Sequence, residues 1–329
     1  MNQLGRLFQV TIFGESHGPH VGIVINGVPP GIDLSPEDFH EDIRRRQPGK
    51  PGTTPGIEKD IPKLISGVYN GKTTGMPLTI LFDNENTRSK DYEIFKSWPR
   101  PGHADFTASK KYLGFNDPGG GGHFSGRLTL PLTAAGVVAK KVIPFMDIHA
   151  TVIEIAGEKD IEKGLQKALE KNDSVGGIVE CIVKNIPAGL GEPFFDSLES
   201  TIAHAVFSIP AIKGIEFGSG FAAARMFGSE HNDPVIDDKG TTATNHSGGI
   251  NGGISNGNPL IFRVAVKPTS STPQEQKSWN FNTKTIETLK IEGRHDLCIA
   301  LRVPVVVEAV TAIVLADHWL VQQSRIHGR

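Results

Sequence analysis

The sequence predicts an α+β fold, a β-α-β sandwich in which helices pack between two mainly antiparallel sheets related by a pseudo-twofold internal repeat. Short β-rich runs alternate with helical stretches, and 38 Gly and 22 Pro against 7% aromatic residues indicate many turns. The two halves, about 1–150 and 151–329, each read as strand, turn, helix, strand, a loop with His-Asp, and a helix. Two such halves can bury the apolar faces of all their elements when their helices pack together in the centre and each half places its sheet on the outer side. We therefore expect one domain over 1–329.

Three pairs of segments carry this repeat, and they occur in the same order in both halves. In the third pair, each member precedes a long apolar helix. Chance similarity of turn chemistry between unrelated strand–helix units is the alternative interpretation. The pairs are 22–43 with 177–206, 66–82 with 247–266, and RPGHADF (100–106) with EGRHDLC (292–298).

The first element is a hairpin around GESHG, residues 14–18. This pentapeptide fits G-x-S-x-G, the signature of a nucleophilic serine on a strand-to-helix turn. That signature requires a following helix, whereas residues 21–25 (VGIVI) read as a second strand after the β-rich run 7–13. The pattern therefore predicts a hairpin loop that brings Ser16 and His17 to a sheet edge.

The next element is a helix that begins after Ser35. Ser35 is a good N-cap, Pro36 suits the first helical position, and the arginines at 44–46 suit the negative end of the helix dipole. Periodicity predicts the remaining elements. The helices are 131–145, 161–171, 197–206 and 304–321, and the strands are 77–82, 177–183 and 260–266.

Composition excludes several classes of protein. A formal charge of -2, from 34 basic and 36 acidic residues, gives no global attraction for nucleic acid or an anionic membrane. We find no signal-like N-terminus and no apolar run of the ~20 residues that a membrane span requires, so we expect a cytoplasmic protein. Cys181 and Cys298 lack metal-site spacing and are interpreted as buried thiols, and we expect no metal site.

Two candidate clusters lie near the N-terminus. His17 between glycines in a hairpin loop is an acid–base candidate, although a lone histidine is more often structural. The default interpretation of arginines 44–46 is a solvated helix end. Because their side chains point to different sides of the helix, at most one or two of them can converge on a ligand. The loop QPGKPG after them suggests a flap that carries Lys50 over an anion.

A third cluster runs from RPGHAD (100–105) to GGGGHFSGR (119–127) and then into a helix. Four glycines before a helix N-terminus can expose backbone N–H groups, and the helix dipole adds positive potential, so phosphate is the natural ligand. A flexible linker is the alternative. The flanking His103, His123 and Arg127 favour the anion site, and the absence of a Walker A motif argues against a nucleoside triphosphatase.

A fourth cluster combines Lys267-Pro268-Thr269-Ser270-Ser271 with Arg294 and Asp296. A lysine and hydroxyls directly after a strand can hold a phosphate, while an ordinary turn is the alternative. A neighbouring cation favours the ionised carboxylate of Asp296, which could then serve as a base.

Together these stretches resemble the chorismate synthase family over nearly the whole chain. The resemblance implies conversion of 5-enolpyruvylshikimate 3-phosphate (EPSP) to chorismate and phosphate, reduced FMN without net redox change, a β-α-β sandwich and a homotetramer. The most specific motifs are GESHG, RPGHAD and GRHD in this order. The others include GRLFQVTIFGESHG, RRRQPG, TTGMPL, PAGLGEPFFDSLES, NHSGGINGGISNGNPL, KPTSS and GRHDLCIALRVPVVVEAV.

The resemblance also implies roles for individual residues. His17 would be the acid toward the leaving phosphate, His103 would protonate or polarise the reduced flavin near N1, and Asp296 would act near N5 in removing the ring proton. The implied substrate contacts are Ser16, Arg45, Arg46, Lys50 and Arg127. The implied FMN contacts are His123, Phe124, Ser125, Pro210, Ala211, Gly252, Lys267, Pro268, Thr269, Ser270, Ser271 and Arg294.

The chain departs from the family pattern at three places. HFSGRL at 123–128 stands where many members have RSSARE, Pro210 stands where many have Asn, and Lys50-Pro51 stands where many have an arginine. Two other functions are weighed against the lyase: a flavin oxidoreductase with net electron transfer, and a non-catalytic flavin- or phosphate-binding protein. The sequence leaves open whether the protein uses NADPH to reduce its own FMN.

Overall fold

The described part of the first half forms a five-stranded sheet, one short hairpin and three α-helices. The computed structural model describes residues 2–49, 51–54, 59–85, 89–291 and 295–326. The elements are β1 (Gln3–Leu4), β2 (Gln9–Gly14), β3 (His20–Asn26), α1 (His40–Arg46), β4 (Lys63–Ser66), β5 (Val68–Tyr69), β6 (Lys72–Thr73), β7 (Leu78–Asp83), α2 (Asp105–Lys111) and α3 (Thr129–Val142).

The second half forms a four-stranded sheet, two short hairpins and four helices within the described ranges. Its last helix is the longest element. The elements are β8 (Asp147–Ile155), α4 (Ile161–Lys171), β9 (Gly177–Lys184), α5 (Leu198–Val206), β10 (Ile212–Phe217), α6 (Gly228–His231), β11 (Ile250–Asn251), β12 (Ile254–Ser255), β13 (Leu260–Val266), β14 (Gln276–Asn280), β15 (Thr285–Leu289) and α7 (Pro304–Ile326).

Both main sheets have the same strand order. In the first, the order is β1-β2-β3-β7-β4, and in the second, read from its start, it is β8-β9-β13-β10. Leaving aside the short β1, each sheet has its first two strands side by side, then its fourth strand beside the second. The third strand, β4 or β10, lies at the edge. All neighbouring strands are antiparallel. The predicted α+β class with mainly antiparallel sheets is therefore confirmed.

The layer between the sheets is built on α3 and α7. Helix α3 packs on β2, β3 and β7, α7 packs on β8 and β9, and the two helices pack against each other. Over residues 304–325 helix α7 is long and apolar enough to cross a membrane, contrary to the expectation that no run has this length. However, 83% of its most apolar 18-residue window is buried inside the fold, as expected of a core helix.

The two central helices are in close contact at Gly136. A Cβ atom built on Gly136 would lie 2.3 Å from the Cβ and 2.4 Å from the Cα of Ala309 on α7. Real carbon atoms do not approach this closely without overlap, so the contact requires a residue without a side chain on α3. The separation of the two halves is set here.

A buried ion group ties α1, α3, α7 and β8 together. The carboxylate of Glu308, whose side chain is 1% exposed, accepts two hydrogen bonds from Arg45, at 2.6 and 2.7 Å, and one from Lys140 at 3.0 Å. It also accepts the backbone N–H of Ala150 at 2.9 Å. Burial opposes ionisation of Glu308, but the Arg45 hydrogen bonds and the Lys140 charge outweigh it and lower its pKa.

Most predicted elements match, with differences at the ends. The hairpin around GESHG is confirmed, because β2 ends at Gly14 and β3 begins at His20. The helix expected after Ser35 begins as a 3-10 turn before α1. Helix α3 ends at Val142 rather than 145, since the residue before Pro144 is kept out of the helical region.

We expect Gly136→Ala to lower the free energy of unfolding by about 1–3 kcal/mol, because the added methyl group overpacks the contact with Ala309. This loss should appear although alanine is intrinsically the better helix former. Urea unfolding followed by circular dichroism measures it. Gly228→Ala is the matched control, since a Cβ there meets nothing within 4 Å. Equal or higher stability of Gly136→Ala would contradict the close contact.

Candidate functional site

A cavity of about 860 Å³ lies between the loops of the two halves. The first half contributes Asn2, Ile12, about twenty residues between 92 and 128 and part of α3, and the second contributes 207–213, 267–271, His295 and Ile299. Its size falls within the range of about 300–1,000 Å³ typical of sites for small molecules and cofactors. Among the described residues, the predicted site residues that line it are His103, His123, Phe124, Ser125, Pro210, Ala211, Lys267, Pro268, Thr269, Ser270 and Ser271.

The GESHG loop is fixed to the glycine tract beside this cavity. The backbone N–H of Ser16 donates to the carbonyl of Gly122 at 3.1 Å. The ring Nδ1 of His123 lies 2.7 Å from the carbonyl of Gly14, and because a carbonyl only accepts, Nδ1 carries the proton. These two bonds hold the hairpin loop against residues 119–124.

His17 is packed beneath the glycine tract. Gly120 has φ 59°, and a Cβ there would lie 2.6 Å from both Cδ2 and Nε2 of His17 and 2.7 Å from the Ser16 hydroxyl. The left-handed backbone and the absent side chain together allow the tract to cover the imidazole. Burial lowers the pKa of His17 despite the opposing charge of Asp117.

His103 is held as a neutral imidazole. Its Nδ1 donates to the carbonyl of Pro101 at 3.1 Å, which leaves Nε2 to accept from the hydroxyl of Ser271 at 3.0 Å. Burial, and next the charge of Arg100, lowers the pKa of His103 to about 4. The ring therefore presents a lone pair rather than a charge at neutral pH.

Lys267 and Ser270 form a polar corner of the cavity with the RPGHAD loop. The ammonium of Lys267 and the hydroxyl of Ser270 both donate to the carbonyl of Gly102, at 2.7 and 2.9 Å. The ammonium also donates to the Ser270 hydroxyl. Burial, and then the nearby charge of Lys213, lowers the pKa of Lys267. The corner is electropositive and suits an anionic group.

Arg46 and Arg127 lie behind the cavity wall and converge on Asp60. Arg127 donates to a carboxylate oxygen of Asp60, and Arg46 approaches the other oxygen at 3.6 Å. Arg46 also donates to the Thr129 hydroxyl at 2.9 Å and to the carbonyl of Gly126 at 3.1 Å. Thr129 and Gly126 line the cavity, whereas neither arginine is among the described lining residues.

Other predicted residues lie away from the described cavity lining. Arg45 belongs to the buried Glu308 group, and Gly252 lies in the turn between β11 and β12. Asp296 accepts from the backbone of Thr54 at 2.7 Å and from Arg302 at 3.0 Å, and it is the neighbouring His295 that lines the cavity. Lys50 and Arg294 lie outside the described residues.

Several cavity residues were missed from the sequence. Lys213 and the aromatic pair Tyr92 and Phe95 line the cavity, and so does Arg100. Arg100 is part of the RPGHAD motif but was given no role, although its place in that motif could have identified it as a site residue. The segment holding Tyr92 and Phe95 is a 3-10 helix without regular periodicity, and no pattern connected it to the site.

Comparisons with known proteins show which family the chain resembles. The family model "Chorismate synthase" matches residues 8–320. The chain is 64% identical to a chorismate synthase of Chitinophaga pinensis over 324 residues, covering 98% of each chain. It is 46% identical to that of Dehalococcoides mccartyi over 348 residues, covering 96% of each. A crystal structure of chorismate synthase superimposes with TM-score 0.75 at 28% identity, covering 97% of this chain and 93% of the other.

We expect His103 to titrate near pH 4 in the folded protein, below the ordinary value of 6.5, because burial and Arg100 disfavour its protonated form. The folded state then binds fewer protons than the unfolded state between these values, so stability falls as the pH drops from 6.5 to 4. Histidine-labelled NMR titration measures the folded value, and the urea-unfolded chain gives the reference. Folded-state titration near 6.5 would contradict the buried neutral ring.

Proposed function

The chain belongs to the chorismate synthase family and shares its carbon–oxygen lyase activity in the shikimate pathway, and on this premise we propose that the reaction takes place in the cavity between the two halves. The reaction eliminates phosphate from EPSP. The carbon–oxygen bond to phosphate breaks, a ring proton leaves from the opposite face, and the cyclohexene becomes the diene of chorismate. The site must therefore bind an anion, protonate a leaving group and accept a ring proton.

We propose that the polar corner and the hydroxyls beyond it hold reduced FMN. The hydroxyl of Thr269 is buried at the cavity and has no hydrogen-bond partner among the described residues, which indicates a ligand contact. Lys267 and Ser270 offer a cation and a donor for an anionic group, and Phe124, Pro210 and Ala211 offer apolar contact. Bound there, reduced FMN supplies the transient electron density that the elimination needs without net redox change. Gly252 and Arg294 stay predicted contacts.

We propose His17 as the acid toward the leaving phosphate. In the free protein the pKa of His17 is lowered by burial, so the ring is neutral at pH 7. A phosphate placed beside it brings negative charge and favours the protonated imidazole, which can then give its proton to the departing oxygen. Ser16, whose hydroxyl lies by the same glycine backbone, is the proposed hydrogen-bond partner of the substrate.

His103 is proposed to act at the flavin near N1. Its Nδ1–H is committed to Pro101, so a proton for the ligand must be carried at Nε2, where Ser271 donates in the free protein. An anionic neighbour would raise the pKa of the ring and place a proton at that atom. Before a ligand binds, the hydrogen bond from Ser271 fixes the orientation of the His103 ring.

We propose Asp296 as the group near N5 that assists removal of the ring proton. It is 9% exposed, and its carboxylate is held by Thr54 and Arg302 next to the cavity-lining His295. Because the carboxylate is already held in one geometry, little reorganisation free energy is needed when it accepts a proton.

The proposed substrate contacts are cationic. Arg46 and Arg127 are preorganised by Asp60, and Arg46 reaches the cavity wall at Thr129 and Gly126. Lys50 is proposed to close over the substrate from the following loop. Arg45 stays a predicted substrate contact, because both terminal nitrogens of its guanidinium group are hydrogen-bonded to Glu308.

We also propose the coarser features that accompany this chemistry. The cavity needs residues from both halves, which supports a single functional unit over 1–329. The thiols of Cys181 and Cys298 are free and buried, as suits a cytoplasmic protein. The exposed Phe194 and Phe195 offer apolar surface for the contacts of a homotetramer. NADPH is proposed as the source of electrons for FMN.

The observation that carries the proposal is that His103 and the KPTSS segment line one cavity, and that Gly120 of the same lining packs closely against His17. Phosphate release from EPSP, under strict anaerobiosis with dithionite-reduced FMN, tests it. The lyase consumes no donor per turnover, whereas a flavin oxidoreductase consumes one equivalent. A non-catalytic binding protein would bind FMN and release no phosphate. Omitting dithionite and adding NADPH tests the proposed reductant.

We expect His103→Ala to lower kcat for phosphate release by about 10²-fold or more, the usual scale for a general acid–base group. The anaerobic assay measures this loss. His40→Ala is the matched control, because His40 is exposed at the start of α1. Turnover of His103→Ala near that of His40→Ala would remove His103 from the proposed mechanism.

We expect Lys267→Met to weaken FMN binding by about tenfold, as expected for loss of one charge-assisted hydrogen bond. Fluorescence quenching of oxidised FMN measures the dissociation constant without turnover. Lys239→Met, at an exposed position, should bind FMN as the parent chain does. Unchanged FMN affinity in Lys267→Met would place the cofactor elsewhere.

A further inference from the structure

Within the described part of the chain, Nδ1 of His17 lacks the hydrogen bond that usually fixes a catalytic histidine. This atom is buried, and no described residue hydrogen-bonds to it. A functional imidazole is normally held by a carboxylate or carbonyl on one ring nitrogen, which sets the tautomer and the ring plane. Another contact must therefore fix the ring of His17.

Tyr92 supplies such a contact. Its ring centroid lies 5.0 Å from that of His17, and the two planes meet at 89°. This edge-to-face arrangement is the one that aromatic rings favour, at centroid separations of about 4.5–7 Å. The glycine tract also packs closely beside the imidazole, because a Cβ atom built on Gly119 or Gly120 would lie 3.0 or 2.6 Å from atoms of His17.

Tyr92 is itself held by a buried cation. The guanidinium of Arg100 lies 5.4 Å from the Tyr92 ring centroid and 4.7 Å from that of Phe95. Arg100 is 8% exposed and donates three hydrogen bonds to Asp105, from its backbone N–H, Nε and Nη2. The support of Tyr92 is therefore rigid.

The same cation belongs to the loop that carries the second proposed catalytic histidine. The backbone N–H of His103 donates to the carbonyl of Arg100 at 3.3 Å. Tyr92 and His103 also both line the cavity. A chain of contacts thus leads from His17 through Tyr92 and Arg100 to the loop of His103.

We propose that Tyr92 is a positioning residue that holds the His17 imidazole in its reactive orientation through ring contact alone, with Arg100 as its support. The inference rests on the proposed role of His17. The aromatic ring is the active part of Tyr92, and its hydroxyl is dispensable. Tyr92 acts only through His17 and makes no separate contribution to the chemistry.

The first test compares ring and hydroxyl. We expect Tyr92→Phe to retain the parent kcat in the anaerobic phosphate assay. Tyr92→Leu and Tyr92→Met should lower kcat about tenfold while KM changes less than twofold, the pattern of a contact needed in the transition state. Tyr69→Leu, at a 72% exposed tyrosine, is the control. Loss of kcat in Tyr92→Phe would overturn the proposal, because the hydroxyl would then be the active group.

The second test is a double-mutant cycle with His17→Ala. Because Tyr92 acts through His17, Tyr92→Leu should cause no further loss of kcat in the His17→Ala background. The same tenfold loss in both backgrounds would overturn the proposal. Should His17→Ala itself retain parent kcat, the proposed acid fails, and this result is separate from the outcome for Tyr92.

The third test does not depend on turnover. NMR titration of histidine-labelled protein should give the parent pKa for His17 in Tyr92→Phe. In Tyr92→Leu or Tyr92→Met the pKa should shift upward, because water reaches a ring whose pKa burial had lowered. Circular dichroism selects the folded variant of the two for this measurement. An unchanged His17 titration in a folded variant that lacks the ring would overturn the proposal.

Discussion

The close packing of α3 against α7 is the constraint on which the rest of the structure depends. Gly136 and Ala309 bring the two backbones into contact, and each helix carries the sheet of its own half. The distance between the sheets therefore fixes the distance between the loops at their ends. The cavity spans this distance, with Leu132 of α3 on one side and Ile299, just before α7, on the other. Residues far from any ligand thus determine whether the site is assembled.

Several partly or fully buried cations divide into two kinds according to their partners. Arg45, Arg46, Arg100 and Arg127 each contact a carboxylate, which neutralises their charge and holds the guanidinium in place. Lys267 instead contacts a carbonyl and a hydroxyl at the cavity. Its charge is not cancelled by an acid in these contacts and remains available to an anion. Arg46, Arg100 and Arg127, whose charges carboxylates neutralise, thus support the cavity wall, whereas the charge of Lys267 makes the local electrostatic potential positive.

Sequence patterns predicted the fold class and the loops of the site because both depend on local chemistry. Alternating apolar residues gave the strands, and Gly14 with Pro19 marked the hairpin that presents His17. Local sequence patterns do not predict contacts between residues that are far apart in the chain. Arg45 was expected at the substrate, but Glu308, 263 positions away, takes both arms of its guanidinium. Asp60 likewise meets Arg46 and Arg127 only after the chain has folded. Tyr92 lies in a 3-10 segment whose irregular geometry leaves no periodic signature.

The shared strand order of the two sheets carries a consequence for the origin of the site. A chain made by duplication would inherit two equivalent connections between its first and second strands. In the first half this connection is the GESHG loop with its histidine, whereas in the second it is α4 with residues 156–176, which contain no histidine. Ancestral symmetry would have given a pair of identical reaction centres. The two equivalent connections have instead diverged, so that the first carries a histidine and the second a helix, and the proposed groups of the second half, such as Asp296, come from other loops.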